Sequence, residues 1–177
     1  MPIHSPSLAV RDVGGKRKAI GANVPLWPAF ACVALGVLGT ADSVYLTIVH
    51  YTSVVHLYCP TSGGIVNCDA VTTSPQSVLL GIPVPVMGIV WFIAMIALCW
   101  PAAWPSTNKV LIAIRFVSAL AGVGFALYLV AVELLVIDKI CLWCTGAHVG
   151  AFAIFIIVVA STPSQLFQSH PPLPSGT

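Results

Sequence analysis

The chain has 177 residues, 58% of them hydrophobic and only 7% charged, with a formal net charge of +2 and a mean hydropathy of +0.99. A soluble domain carries about a quarter charged residues, so this composition excludes an ordinary water-solvated globule. Seven Lys and Arg against five Asp and Glu make no basic surface, which argues against a nucleic-acid partner.

Residues 1–25 carry Arg11, Lys16, Arg17 and Lys18 and lead into the first long apolar run, about 26–49, interrupted only by Asp42. That run exceeds the roughly 7–15 residues of a signal-peptide core and resumes past Asp42, so a retained span is expected rather than a cleaved leader. Loop 50–81 follows, then a second run over about 82–100, closed by Pro101 and Pro105. A third run covers about 110–137 and a fourth about 142–160, with Pro163 after it. Each is near or above the ~18–20 residues that cross a bilayer as a helix, and the prolines mark helix limits. The expected fold is an all-α integral membrane protein, a four-transmembrane-helix bundle over 26–160. The Pro- and Ser-rich tail, 161–177, reads as disordered.

The bases set the expected orientation. Arg11, Lys16, Arg17 and Lys18 precede the first span, Lys109 lies between the second and third, and Arg115 is close enough to that end to snorkel. Loop 50–81 has no Lys or Arg, and the last connection has only Lys139. By the positive-inside rule both termini are cytoplasmic, and loop 50–81 and the segment "DKICLWC" are outside, in a multi-pass plasma-membrane protein. Trp27, Trp100, Trp104 and Trp143 fall where an interfacial aromatic belt is expected.

Four of the six cysteines then face an oxidising compartment, where disulfides persist. Cys141 and Cys144 form a CxxC at the start of the fourth span, where the first helical turn stabilises a thiolate. A redox dithiol, a static disulfide and half of a zinc site all fit that spacing. A c-type haem does not, because Thr145 stands where its histidine is required. Cys59 and Cys68 flank a Gly-containing loop that either staples the surface or exchanges with the CxxC by thiolate attack. Cys32 and Cys99 fall inside spans and read as small apolar core residues. Ser74–Pro75 reads as the N-cap and first position of a short surface helix with Val78, Leu79 and Leu80 as its apolar patch. Asp42 and Glu133 are acids at membrane depth and so functional suspects; His50 and His56 read as exposed loop histidines.

The stretches "YCPTSGGIVNCDAVTTSPQSVLLGIPVPVMG" and "CLWCTGAHV", set among four spans, resemble the vitamin K epoxide reductase (VKOR) family over about 26–160. The resemblance implies a helical bundle around a quinone site, capped by the outer loop and its short helix. It implies that Cys144 faces the quinone and forms the adduct with it, that Cys141 is its partner, that Cys68 exchanges with Cys141, and that Cys59 meets the external reductant. Ser74 matches a Ser/Thr near the quinone. His148 stands where animal members have a tyrosine, and Val84 where they have an asparagine on the quinone oxygen, which favours quinone over epoxide reduction. His148 and Ser74 are then candidates to support protons or an oxyanion. Bacterial members recharge a thioredoxin-like (DsbA-like) oxidase, sometimes fused at the C-terminus. Only about 17 residues follow the fourth span, so a separate partner is expected. The acceptor implied is menaquinone, ubiquinone or vitamin K, with no metal. The DsbB type shares the chemistry but has the two cysteine pairs in reverse order. A disulfide-stapled four-span scaffold without activity is the non-enzymatic alternative.

Overall fold

The computed structural model describes residues 25–52, 57, 59, 64–106 and 108–168, and the side chains only as far as 165. The basic N-terminal segment, His56 and the end of the tail lie outside the described residues.

Helix α1, Trp27–Tyr51, opens with Pro28 in its first turn, where the missing N–H costs nothing. Helix α2, Cys68–Thr72, is a single short turn capped by Asn67, whose Oδ1 accepts the N–H of Ala70 at 3.0 Å. A 3-10 turn over Pro75–Ser77 follows, and then a two-stranded antiparallel hairpin, β1 Val78–Leu79 and β2 Ile82–Pro83. Helix α3 is Val84–Leu98, and helix α4 is Lys109–Val132, prolonged by a π-helical turn over Glu133–Ile137. Helix α5 runs Leu142–Gln168. The long helices form a ring, α1 against α3 and α5, and α4 against α5 and α3.

Three of these helices are long and apolar enough to cross a membrane: α1, α4 with its π-turn, and α5. The fourth apolar helix, α3, has fifteen residues, about 22 Å at 1.5 Å per residue, and is shorter than the hydrocarbon core. Leu38, Val90, Ile114, Val117 and Ile156 are all exposed on the outer faces. Apolar surface on this scale is what lipid solvates and water does not.

The core has two parts. One, built on Ala29, Cys32, Phe92, Met95, Cys99, Trp104, Ala119 and Ile154, fills the ring. Close approach here depends on glycine: a Cβ at Gly39 would overlap the Phe92 ring, and one at Gly122 the Trp91 indole. The other gathers Leu46, Leu57, Cys68, Val71 and Cys141 at the cysteine end.

Several expectations need correction. Arg115 does not snorkel. It is 2% exposed and turns inward, donating from Nε and Nη2 to Leu98 O (3.0 and 2.8 Å), from Nη2 to Ala103 O (3.2 Å) and from Nη1 to Gln165 Oε1 (3.2 Å). Its guanidinium lies 4.5 Å from the centroid of Trp104. The carbonyls at and beyond the end of α3 have no helical donors of their own, and they reward the inward rotamer. Trp104 is accordingly core, and Trp143 packs on Tyr45 with centroids 4.8 Å apart; Trp27 and Trp100 are exposed. Helix α5 does not stop before Pro163 but continues to Gln168, and Gln165 is buried against the Arg115 cluster. Val78 and Leu79 are strand rather than helix, because Leu80 and Gly81 both take positive φ (54° and 82°) and close a two-residue hairpin.

Candidate functional site

Cys141 immediately precedes α5 and caps it. Its carbonyl accepts the N–H of Thr145 at 2.9 Å, and its Sγ accepts the N–H of Cys144 at 3.3 Å. The side-chain hydrogen bond with Cys144, with the backbone N–H groups of Cys144 and Trp143, holds the Cys141 thiol below its ordinary pKa, against the burial that opposes it. Cys141 is therefore the thiol of this pair that the fold prepares to carry charge. Cys144, one turn on, is half-buried, and both are free thiols.

Cys59 and Cys68 are joined in a disulfide, with Cα atoms 6.2 Å apart. A parallel bridge between Val66 and Ile140 docks this pair on the CxxC segment: Ile140 N–H donates to Ile65 O (3.0 Å) and Asn67 N–H to Ile140 O (3.1 Å). Lys139 Nζ adds a bond to Gly64 O at 3.0 Å. The result is that Cys68 and Cys141, 1% and 0% exposed, are packed in one apolar cluster, with Cys59 and Cys144 against it. Four cysteines from two distant segments thus meet at one end of the helix ring.

Below them is a cavity of about 130 Å³, mostly apolar, walled by α1, α3, α4 and α5 and closed over by α2 and the 3-10 turn. Cys144 and His148 reach it from one face of α5, as a spacing of four requires. Trp91 and Phe92 form an aromatic wall, edge to face at 4.9 Å, with the Trp91 Nε1–H donating to Ser118 O at 3.0 Å. His148 is 8% exposed, and its Nδ1 is buried with no partner among the described residues. An orphaned ring nitrogen on the wall of an apolar cavity is suited to a ligand's polar atom.

Of the remaining expected residues, Ser74 lines the cavity, but its hydroxyl donates to Val71 O at 2.8 Å and does not cap the turn after it. Val84 is also in the wall. His50 is not an exposed loop residue: it is half-buried in the last turn of α1 and lines the cavity. Asp42 is half-buried, with Oδ2 unpartnered among the described residues. Glu133 is 6% exposed; its Oε2 accepts the N–H of Cys141 at 3.4 Å, and it reaches the cavity. Ser43, Trp91, Phe92 and Gly122 had no marker in the sequence, because an apolar wall residue in an apolar helix looks like its lipid-facing neighbours. Among the described residues no group of three or more His, Cys, Asp or Glu is placed to hold a metal ion.

The model of the Vitamin K epoxide reductase family matches residues 30–159 of the chain.

Proposed function

The chain belongs to the vitamin K epoxide reductase family, membrane oxidoreductases acting between thiols and quinones, and from that premise we propose the route its electrons take. A separate thioredoxin-like (DsbA-like) protein, outside the plasma membrane, reduces the Cys59–Cys68 disulfide. Freed Cys68 attacks Cys141 of an oxidised CxxC, and Cys144 leaves as a thiolate at the cavity wall. Cys59 then resolves the Cys68–Cys141 bond, and the Cys141–Cys144 dithiol closes again as it delivers two electrons into the cavity. The quinone held there is the substrate that accepts those electrons with two protons and returns to the lipid as quinol. The sum is two thiols and one quinone giving one disulfide and one quinol, a reaction that supports disulfide formation outside the cell.

One observation carries this reading. Cys141 is packed with Cys68 on one side, while Cys144 opens on the cavity on the other, so the two dithiols and the cavity stand in series. The aromatic wall suits a flat ring, and His148 Nδ1 is a free polar atom beside it. The cysteine-facing side is assigned as the outer one because Lys and Arg concentrate at the other ends of the spans.

The test follows quinone absorbance as the purified protein is mixed with a dithiol, wild type beside Cys144→Ala. Catalytic loss of absorbance that disappears in the variant is the expected result. A folded wild-type protein that consumes neither menaquinone nor ubiquinone analogues would return the chain to the scaffold reading.

A further inference from the structure

Two protons must travel with the two electrons, from thiols in a largely buried cluster to a quinone in a mostly apolar cavity. Among the described residues other than the cysteines, Glu133 is the titratable group that touches both. Its Oε2 holds the backbone N–H of Cys141 within the cysteine cluster, and its side chain also forms part of the cavity wall. The helix that begins at Cys68 packs on the same π-turn. A buried carboxylate at membrane depth is expensive to keep, which makes it a functional suspect by default.

The backbone is shaped to aim it. The π-turn starts at Glu133 and is closed by the Lys139 N–H on Glu133 O at 3.1 Å, with Asp138 in the left-handed region at φ 53°. Leu134, Leu135 and Val136 are all exposed, so Glu133 alone of these four successive residues points inward. Wide turns of this kind recur where a helix must present one functional side chain out of phase.

We propose that Glu133 is the proton carrier linking dithiol exchange at Cys68 and Cys141 to quinone reduction beside Cys144. This rests on the thiol–quinone reading above. The Glu133 carboxylate takes the proton of Cys68 as the Cys68 sulfur bonds to Cys141 and the Cys141–Cys144 bond breaks, its electron pair going to Cys144. It passes that proton to the Cys144 thiolate on the cavity side. The proton of Cys59 then goes to Glu133 as Cys59 resolves the Cys68–Cys141 bond and Cys141 leaves with the electron pair. Closing of Cys141 on Cys144 passes two electrons to the quinone, which takes one proton from Cys144 and one from Glu133, and Glu133 ends as it began. Other titratable groups around the path are Asp42 and His50 from α1, the exposed Asp69 beside Cys68 on α2, Asp138 and Lys139 at the end of the π-turn, and His148 from α5; α3 contributes none among its described residues. His148 faces the cavity, and no hydrogen bond joins it to Cys141 among the described residues.

The experiment compares wild type, Glu133→Gln and Glu133→Asp as full chains in detergent, with dithiothreitol and a short-chain ubiquinone analogue, from about pH 5.5 to 9. Gln keeps the size and can still accept the Cys141 N–H but cannot carry a proton. Glu133→Gln should lower kcat about 100-fold, the scale of general acid–base catalysis, and erase the loss of rate that wild type shows on the acid side. Glu133→Asp should recover part of the rate together with that acid limb. Thermal unfolding checks that all three are folded. The proposal is overturned if Glu133→Gln turns over within about twofold of wild type, or if its rate is lower by one factor at every pH with the profile unchanged. Absence of turnover in wild type would instead sink the thiol–quinone reading itself, and this proposal with it.

Discussion

Replacing Arg115 with Met should destabilise the protein and leave its chemistry alone. The guanidinium makes four hydrogen bonds to three acceptors and lies over Trp104. Removing it orphans Leu98 O and Gln165 Oε1, at about 1–3 kcal/mol for each acceptor left buried, and leaves Ala103 O with the Ser106 N–H at 3.3 Å. Relief from burying the guanidinium offsets several kcal/mol of that sum, and methionine recovers some packing. A net loss of about 1–3 kcal/mol is expected, since the acceptors left behind are neutral. Arg115→Lys should lose about half as much, since an ammonium cannot fork between two carbonyls while lying flat on an indole. The assay is reversible unfolding in mixed micelles on titration with sodium dodecyl sulfate, followed by tryptophan fluorescence. Arg115 is about 27 Å along α4 from Glu133, at 1.5 Å per residue, so kcat of the folded fraction should stay within about twofold of wild type. An Arg115→Met protein within about 0.5 kcal/mol of wild type would refute the claim that these carbonyls depend on the guanidinium. A kcat that fell in step with stability would refute the independence of the two ends.

Two further expectations concern the cysteine end. The Cys141 thiol is depressed in the folded protein, so its ionisation stabilises the fold in full above the unfolded thiol pKa near 9.0, and that contribution is lost as pH falls through the lower folded value. With the CxxC reduced, the stability advantage of wild type over Cys141→Ser should therefore grow from pH 6 to pH 9; an advantage that is flat or shrinks over this range contradicts the depressed thiol. His148→Leu removes a buried nitrogen that lacks a partner among the described residues, and should raise stability by about 1 kcal/mol while lowering quinone turnover at least tenfold. A loss of stability in that variant would mean that Nδ1 is bonded after all.

Much of this was legible from residue order. Long apolar runs punctuated by prolines gave helices α1, α4 and α5 with starts correct to within a residue or so, because a helix in lipid needs little more than length and apolarity. The CxxC at the mouth of α5 was equally plain, and its spacing of three implied the capped thiol that is found. What stayed hidden depended on partners from elsewhere in the chain. The resemblance implied that Cys68 exchanges with Cys141, but the backbone bridge between Val66 and Ile140 that docks the two segments is encoded by no side-chain pattern. Arg115 looked free to reach the headgroups, and the reason it does not is a pair of carbonyls on another segment. The end of α5 was misread because Pro163 normally stops a helix. Here Pro163 lies on an exposed side of the helix, and Gln165 beyond it is held by Arg115 Nη1 at 3.2 Å, so the helix continues past the missing N–H. At 78–83 the Ser-Pro signal concealed a hairpin, since Leu is a rare choice at a left-handed position.

The attachment of the Cys68 segment to Ile140 and Lys139 consists of two backbone hydrogen bonds, one lysine contact and an apolar footing. Each such bond contributes about 1 kcal/mol, so the polar part of the grip is only a few times thermal energy. It is a clasp, not a weld. On the proposed route, a clasp that weak leaves the segment free to lift toward a soluble thiol and settle back on the CxxC without breaking a covalent bond.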